Sequence, residues 1–340
     1  SGKGGQGSYF NPVFLSANGE RRTLGHSTKI ITDKTLKWLK ERDKKMPFLV
    51  CAQYKTPHIH RLPPPKFMGQ YDRVDFPVPQ TFFDDFSTRS SFVSETWMAL
   101  KGMKGHVLNI APSESEIKAN PKLMPPFLRE MTPPQRTAWH QAYDPRNLKM
   151  KELEESGKLN GENRPLYIYQ RFIKDYIRCV DGLDDQVGRL LRYLEKAGLK
   201  ENTIVIYSSD QGFFTGEHGW AEKRWMYEES FKSPLLMRWP GVIKPGTVID
   251  ALVQNIDLAP TLLKAAKIEV PVSVHGRALQ PILSGKSDPS WRKDILYQYF
   301  DGGTREKRGP YNMPRHEGVR DQRYKLISFY EFNEWEFYDL

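Results

Sequence analysis

Two polar runs that directly follow strand-like segments carry the side chains most capable of chemistry. Lys55 and His58 come after the apolar run 48–54, and the sequence Ser-Ser-Asp-Gln-Gly at 208–212 comes after the β-branched run 203–207. In an open α/β sheet, ligands bind just beyond the carboxyl ends of the strands. The spacing therefore predicts that both polar runs lie at a binding edge of a sheet.

The second run offers two oxygen donors of the kind that hard cations prefer. Asp210 supplies a carboxylate oxygen and Gln211 an amide oxygen, and both suit Ca²⁺ or Mg²⁺. An Asp close to a Gly after a strand is equally typical of a simple turn. From these residues alone, a metal site and a turn are equal alternatives.

Three further side chains are suited to binding and protonating an anionic substrate. Lys55 and Lys223 are cations, and His58 can donate or accept a proton near neutral pH. Each of them, taken alone, is also typical of an exposed loop or helix surface. His218 lies in the sequence Gly-Glu-His-Gly, shortly before Lys223.

The elements that would position these residues begin with two helices. Residues 28–42 carry apolar residues at helical spacing behind Ser27, a possible N-cap. Residues 167–196 form the longest apolar stripe of helical period, and Gly198 is a natural stop for that helix.

The remaining elements determine the predicted fold class. A strand at 234–239 and a helix at 257–266 continue the alternation, which is typical of an α/β fold with a mostly parallel sheet flanked by helices. The C-terminal region predicts a small antiparallel sheet of four short strands, at 295–300, 317–320, 324–329 and 334–339. We expect the α/β domain to cover residues 1–286 and the C-terminal subdomain residues 287–340.

A long stretch between the core elements, residues 57–164, is rich in proline, charge and isolated aromatic residues. It contains no long periodic segment. Stretches of this length between core elements are more often functional than idle. We therefore interpret it as an excursion over the face that carries the active site.

Composition narrows the possible partners. Lys and Arg total 51 against 41 Asp and Glu, a formal net charge of +10, which permits a polyanionic partner without indicating one. The basic residues are scattered and no nucleic-acid-binding motif is present, so no nucleic-acid partner is predicted. No apolar run approaches the ~20 residues that span a bilayer.

The two cysteines are predicted to be structural. Cys51 and Cys179 lie in apolar segments and are predicted to be buried free thiols.

The order of these motifs resembles the formylglycine-dependent sulfatases of the alkaline phosphatase superfamily. The likeness is strongest to bacterial glycan sulfatases similar to N-acetylglucosamine-6-sulfatase and iduronate-2-sulfatase. It covers essentially the whole chain and rests on an ordered set of motifs: Lys55-Thr-Pro-His58, Ser-Ser-Asp210-Gln211-Gly, Gly-Glu-His218-Gly, Lys223-Arg-Trp-Met-Tyr-Glu-Glu and Pro-Leu-Leu-Met-Arg-Trp-Pro-Gly241. The resemblance implies an alkaline phosphatase-like fold and hydrolysis of sulfate esters on a carbohydrate or glycosaminoglycan.

The resemblance also implies a role for each matching residue. Asp210 and Gln211 would be ligands of a divalent cation, Ca²⁺ rather than Mg²⁺, although many family members carry Asn or His at the second position. His58 would protonate the leaving alcohol as a general acid. Lys55 and Lys223 would neutralise sulfate oxygens as charge develops on them. His218 would be a buried, hydrogen-bonded histidine, with support of the metal or the substrate as the alternative.

Part of the family pattern is missing from this chain. The family's nucleophile is a formylglycine made from Cys or Ser in a Cys/Ser-x-Pro-x-Arg motif, and neither cysteine lies in such a motif. The family's early Asp-Asp metal ligands are also missing, and Asp84-Asp85 and Asp184-Asp185 do not replace them. We expect these parts to precede Ser1 in the complete protein, and this chain alone to be inactive.

Several points stay open at this stage. A phosphatase or phosphonate hydrolase of the same superfamily and a non-catalytic protein that binds sulfated glycans are the alternatives to a sulfatase. Arg315 and His316 on the C-terminal sheet are candidates for substrate binding, with a purely structural role as the favoured alternative. The resemblance implies a periplasmic or extracellular location, and no pattern indicates the oligomeric state.

Overall fold

The computed structural model describes residues 7–103, 108–283, 285, 288–302 and 313–340, which fall into two compact units. The first unit takes the described residues up to Phe82 and the range Leu100–Lys200. The second takes Phe83–Ala99 and the described residues from Glu201 to Leu340. The boundary predicted between residues 286 and 287 lies outside the described residues and stays a prediction.

The first unit is mainly helical. Its elements are the hairpin β1 (Val13–Ser16) and β2 (Gly19–Arg22) and the helices α1 (Ser27–Glu41), α2 (Glu114–Ala119), α3 (Pro126–Arg129), α4 (Pro133–Glu155) and α5 (Asn163–Lys196). Its core joins residues far apart in sequence, including Tyr9, Leu62, Trp139 and Cys179. Within the described part of the chain, no helix combines the length and apolar character needed to cross a membrane.

The long helix α5 confirms the prediction for residues 167–196, although it begins four residues earlier. It ends as the sequence indicates. Gly198 adopts a left-handed backbone with φ of 67°, and its N–H donates to the Glu195 carbonyl at 3.1 Å. The Leu199 N–H donates to the Leu194 carbonyl at 2.8 Å, which completes a glycine-based helix stop.

The helix predicted at 28–42 is also present as α1, but its start differs from the prediction. Ser27 is the first helical residue and not the N-cap, which is His26. The His26 side chain does not cap the helix, because its Nε2 contacts the Leu62 carbonyl at 2.9 Å. Ser27 is instead buried in the first turn, so the prediction of Ser27 as the cap is wrong.

Helix α4 corrects the interpretation of residues 57–164 as lacking a long regular segment. The helix has 23 residues and begins where Gln135 Oε1 accepts a hydrogen bond from the Thr132 N–H at 2.8 Å. Its apolar period is weak because it buries only Trp139, His140, Tyr143 and Met150. Pro145 inside the helix weakens the pattern further.

The strand predicted at 48–54 is not a strand in the first unit. None of these residues joins a described sheet, and the Leu49 side chain is 68% exposed. An apolar run becomes a strand only where a partner strand offers hydrogen bonds, and the described part of this unit offers none there. Cys51 is exposed, so its predicted burial is wrong, whereas Cys179 is a buried free thiol as predicted.

The second unit contains the remaining strands and two short helices. They are β3 (Val205–Ser208), β4 (Phe214–Thr215), β5 (Ala221–Glu222), α6 (Glu228–Phe231), β6 (Leu235–Arg238), α7 (Leu258–Ala265), β7 (Ile295–Tyr299), β8 (His316–Arg320), β9 (Tyr324–Phe329) and β10 (Glu334–Asp339). The strands predicted at 203–207 and 234–239 and the helix predicted at 257–266 are therefore confirmed within two residues of their predicted ends.

The pairing of the two central strands differs from the prediction. Strand β3 pairs with β6 antiparallel, with Val205 opposite Arg238 and Ser208 opposite Leu235. Parallel pairing normally requires a crossover helix, and the one α-helix in the connection between these strands, α6, has four residues. Every strand pair among the described residues is antiparallel, so the parallel pairing is not seen within them.

The C-terminal sheet confirms the prediction closely. Its four strands lie in the order β10, β9, β8, β7, and each neighbour pair is antiparallel. One face packs Ile327 and Phe329 into an aromatic core with Trp220 and Trp225.

Residues 83–99 belong to the second unit because polar contacts bind them to strand β10. The Ser90 N–H donates to Glu336 Oε1 at 2.7 Å. The Ser91 hydroxyl donates to Glu334 Oε1 at 2.6 Å. These contacts join residues more than 240 positions apart in the sequence.

Candidate functional site

In the first unit, Lys55 and His58 meet at one backbone oxygen. Lys55 Nζ donates to the Ile59 carbonyl at 3.0 Å, and His58 Nδ1 lies 2.9 Å from the same oxygen. A turn brings them together, since the His58 N–H donates to the Lys55 carbonyl at 2.9 Å. The Tyr9 hydroxyl donates to the His58 carbonyl at 2.7 Å and holds the turn against the core.

This arrangement determines which nitrogen of His58 carries the proton of the neutral ring. A carbonyl oxygen only accepts hydrogen bonds, so Nδ1 must be the donor toward Ile59. A second proton would therefore reside on Nε2, which is the atom that would act as a general acid. The geometry suits the predicted role of His58, and the role itself stays a prediction.

In the second unit, the run after β3 is held by its backbone. The Gly212 N–H donates to the Ser230 carbonyl at 2.9 Å, and a Cβ at Gly212 would lie 2.2 Å from the Glu229 carbonyl oxygen. Only glycine allows this close approach. Asn255 Nδ2 donates to the Asp210 carbonyl at 2.9 Å, which holds the loop from the other side.

The two candidate metal ligands lie on this loop. Asp210 is exposed and accepts a hydrogen bond from Ser209 Oγ at 3.2 Å, while Gln211 is half-buried. Within the described ranges, no group of three or more His, Cys, Asp and Glu side chains is placed to hold a metal ion. Two oxygen donors fit a hard cation as part of its shell, because Ca²⁺ takes six to eight oxygen ligands.

The third predicted cation, Lys223, is almost completely buried at 6% exposure. Its Nζ donates to Glu222 Oε2 at 3.1 Å and lies 5.7 Å from the centre of the Phe213 ring. The residues on both sides have left-handed backbones, with φ of 95° at Glu222 and 105° at Arg224. Such conformations cost of order 1–3 kcal/mol each for residues other than glycine, and they cluster at functional sites.

Ser230 brings the loop of Asp210 and the turn of Lys223 together. Its carbonyl accepts from the Gly212 N–H, and its hydroxyl accepts from the Arg224 N–H at 2.8 Å. Ser230 is buried within the short helix α6, which precedes β6. No spacing rule in the sequence indicated this role, which depends on contacts to two separate loops.

His218 confirms the interpretation as a buried, hydrogen-bonded histidine. It is 8% exposed, and its Nδ1 lies 2.7 Å from Asp84 Oδ2, 134 residues away. Burial raises the pKa of Asp84, but hydrogen bonds from the Phe86 N–H and from His218 outweigh this effect and lower that pKa. The Asp84 carboxylate thus contacts both His218 and Arg89, which the sequence did not indicate.

Arg315 and His316 occupy different environments. Arg315 is partly exposed, and its guanidinium lies 3.9 Å from Glu331. His316 is fully buried; its Nδ1 donates to the Pro314 carbonyl at 3.1 Å, and its ring packs against Trp225 and Tyr299. Burial lowers the pKa of His316 to about 4. The neutral ring is therefore a packing element, and substrate binding by either residue stays a prediction.

Two family profiles match the chain. The profile described as "Sulfatase" matches residues 5–268. The profile described as "N-sulphoglucosamine sulphohydrolase, C-terminal" matches residues 216–340 and so includes the antiparallel sheet. Together they cover the chain almost from end to end.

Curated relatives agree with these profiles. The chain is 37% identical to N-acetylglucosamine-6-O-sulfatase of Bacteroides thetaiotaomicron over 345 aligned residues, which cover all of this chain and 60% of that protein. It is 43% identical to human N-acetylglucosamine-6-sulfatase over 123 residues, 36% of this chain and 22% of that protein. The chain thus spans about three fifths of the length of its full-length relative.

Solved structures of similar fold identify the fold class of the chain. A protein crystallised with its substrate D-glucosamine-2-N,6-O-disulfate aligns with a TM-score of 0.93 at 36% identity, covering all of this chain and 68% of that one. The phosphonate monoester hydrolase of Silicibacter pomeroyi aligns with a TM-score of 0.61 at 19% identity, covering 99% of this chain and 59% of that one. The second likeness concerns the fold alone. These neighbours share the α/β, alkaline phosphatase-like fold that the sequence predicted.

Proposed function

This chain belongs to the sulfatase family, and from that premise we propose that the whole protein hydrolyses a sulfate ester at the 6-O position of a glucosamine unit. One observation carries this proposal. All of the chain aligns at a TM-score of 0.93 with a protein whose bound substrate is D-glucosamine-2-N,6-O-disulfate. The relative that matches over the full chain is likewise named an N-acetylglucosamine-6-O-sulfatase.

The candidate residues supply complementary chemistry for this reaction. Lys55 and Lys223 would bind the sulfate oxygens and offset the negative charge that builds on them in the transition state. His58, protonated on Nε2, would donate that proton to the oxygen of the departing sugar alcohol. The hydrogen bond from Nδ1 to the Ile59 carbonyl would keep the ring in the orientation that this transfer requires.

Sulfatases depend on a bound metal, and we propose that here the metal is Ca²⁺, held in part by Asp210 and Gln211. When bound, such a cation polarises the sulfate oxygens and stabilises the charge they gain. Ca²⁺ tolerates an irregular oxygen shell, whereas Mg²⁺ demands near-ideal octahedral geometry. The longer arm of Gln211 suits the more tolerant ion.

Replacing Asp210 tests this assignment. We expect Asp210→Ala to weaken Ca²⁺ binding by at least about tenfold in calorimetry on the natural full-length protein and to remove calcium-dependent sulfate release, because an anionic ligand is lost. Asp184→Ala, on the exposed face of α5, is the matched control and should leave both measurements unchanged. Unaltered Ca²⁺ affinity in Asp210→Ala would refute the ligand role.

The reaction itself is tested by comparing esters of the same sugar. The full-length protein should release sulfate from N-acetylglucosamine-6-sulfate far faster than phosphate from N-acetylglucosamine-6-phosphate. Faster phosphate release would favour phosphoryl chemistry. Tight binding of the sulfated sugar with no release would favour a glycan-binding protein without catalysis.

We also propose a periplasmic or extracellular location, supported by the family resemblance alone. The net charge of +10 is compatible with a polyanionic glycan outside the cytoplasm. Fractionation of cells that express the natural full-length protein would test this. Recovery in the cytoplasmic fraction would contradict it.

A further inference from the structure

Lys223 and Glu222 form an ion pair that an ordinary strand cannot make. Glu222 is the last residue of β5, where it lies opposite Phe214, and it is 2% exposed. Successive side chains of a strand point to opposite faces, so the carboxylate of one residue and the ammonium of the next should diverge. They instead lie 3.1 Å apart, both buried.

The left-handed backbone at Glu222 is what allows this contact. Its φ of 95° turns the chain at the end of β5, so that the two neighbouring side chains meet on one side. The turn is held on its far side at Arg224, where the Ser230 hydroxyl accepts from the N–H at 2.8 Å and the Tyr297 hydroxyl donates to the carbonyl at 3.0 Å. A strained backbone persists only where its surroundings hold it in this way.

The pair leaves hydrogen-bonding capacity on the lysine. An ammonium group has three N–H donors, and Glu222 accepts from Lys223 at one position. Among the described residues, the other group recorded near Nζ is the face of the Phe213 ring, which attracts a cation without taking a directed hydrogen bond. Two N–H groups therefore have a fixed direction, set by the bond to Glu222.

We infer that Glu222 is a positioning residue that aims the Lys223 ammonium at the sulfate oxygens. This inference rests on the proposed function, because it assigns Lys223 to the substrate. Glu222 itself does not touch the substrate; it holds Nζ where its two remaining N–H groups face the anion. The strain at the end of β5 is the structural cost of that orientation.

The same unit contains a control pair. Lys325, on the regular strand β9, is 2% exposed and pairs with Glu228 at 2.5 Å. Its Nζ also donates to the Met226 carbonyl at 2.6 Å. Removing the carboxylate of Glu228 therefore alters the partner of a second buried lysine, outside the candidate site, although Glu228 itself is 30% exposed.

The test compares Glu222→Ala, Glu222→Gln and Glu228→Gln with the natural full-length protein, using N-acetylglucosamine-6-sulfate and thermal unfolding. We expect Glu222→Ala to lower kcat about 10- to 100-fold with KM changed by less than about threefold, as misplacement of a catalytic group does. Glu222→Gln keeps the volume and an acceptor oxygen, so it should recover much of that loss. Glu228→Gln should lower the melting temperature while kcat stays within about twofold of the natural protein.

The other outcomes distinguish a positioning role of Glu222 from a purely structural one. If Glu222→Ala and Glu222→Gln both keep full kcat while Lys223→Ala loses it, the positioning role is wrong and the proposed function stands. If Lys223→Ala also keeps full kcat, the substrate role of the lysine fails, and the inference fails with it. If the Glu222 variants only lose melting temperature, as Glu228→Gln does, Glu222 is purely structural. Should Glu222→Ala not fold, kcat of the near-isosteric Glu222→Gln decides between these outcomes.

Discussion

Two buried lysines of the second unit, Lys223 and Lys325, form similar ion pairs with different roles. Lys325 lies on a regular strand, and its Nζ contacts Glu228, the Met226 carbonyl and the face of the Phe231 ring. Lys223 lies in a turn with left-handed residues on both sides and has one carboxylate partner, Glu222, within the part of the chain that the structure describes. Lys325 therefore serves to stabilise the fold. Lys223 is held by a strained backbone, and in the inferred role it keeps N–H donors for the substrate anion.

Burial changes the pKa of both members of the Lys325–Glu228 pair. Burial lowers the pKa of Lys325, and the hydrogen bond and charge of Glu228 offset part of that effect. Burial likewise raises the pKa of Glu228, but Lys325 and Arg320 outweigh it, so that pKa is lowered overall. A charged pair with these partners stabilises the sheet as long as both members are present.

Removing Lys325 should give the largest effect on stability. We expect Lys325→Met to lower the free energy of unfolding by about 1.5–3 kcal/mol, because the half-buried Glu228 and the Met226 carbonyl each lose a hydrogen bond from a charged donor. Denaturant unfolding of the full-length protein measures this change. A loss below about 1 kcal/mol would show that the pair contributes little, and Lys29→Met, at an exposed pair on α1, serves as the control.

Removing Lys223 should have its main effect on catalysis. We expect Lys223→Ala to lower kcat/KM about 10²- to 10³-fold, as the loss of one group that stabilises transition-state charge does. Its effect on unfolding should be smaller than that of Lys325→Met, since the turn at Glu222 can relax once the ion pair is gone. Sulfate release per folded molecule checks the first expectation. If the two lysine variants reduce activity equally, the distinction between the pairs is wrong.

A smaller, pH-dependent effect should come from His316, which packs against Trp225 and Phe329 and has no charged partner among the described residues. Because burial lowers its pKa to about 4, the unfolded chain binds the proton first as the pH falls below about 6.5. Its contribution to stability is complete above that pH and is lost toward pH 4, in total about 3 kcal/mol.

The variant His316→Phe isolates this effect because it keeps an aromatic ring in the core. Unfolding free energies measured at pH 7 and pH 5 should differ by about 2 kcal/mol less in the variant than in the natural protein. His26→Phe offers a matched case in the first unit, where burial also lowers the pKa to about 4. An unchanged pH dependence in His316→Phe would mean that the pKa of this histidine is the same in the folded and the unfolded chain.

Local sequence signals predicted many elements well. The stop of α5 at Gly198 and the bounds of β9 and β10 follow from glycine, turn residues and alternation over a few positions. Such signals fail where regular structure depends on a partner. The run 48–54 has strand composition but joins no described sheet, and α4 has weak periodicity because it buries only four side chains.

In the candidate site, too, some features were predictable from the sequence and others were not. The order of Lys55, His58, Asp210 and Lys223 in the sequence was enough to identify the family, because residue types at fixed positions carry the chemistry. The contact of His218 with Asp84, 134 residues away, and the strained pairing of Glu222 with Lys223 were decided only by the tertiary structure. Both depend on which distant backbone and side-chain groups surround a residue, and no short stretch of sequence contains that information.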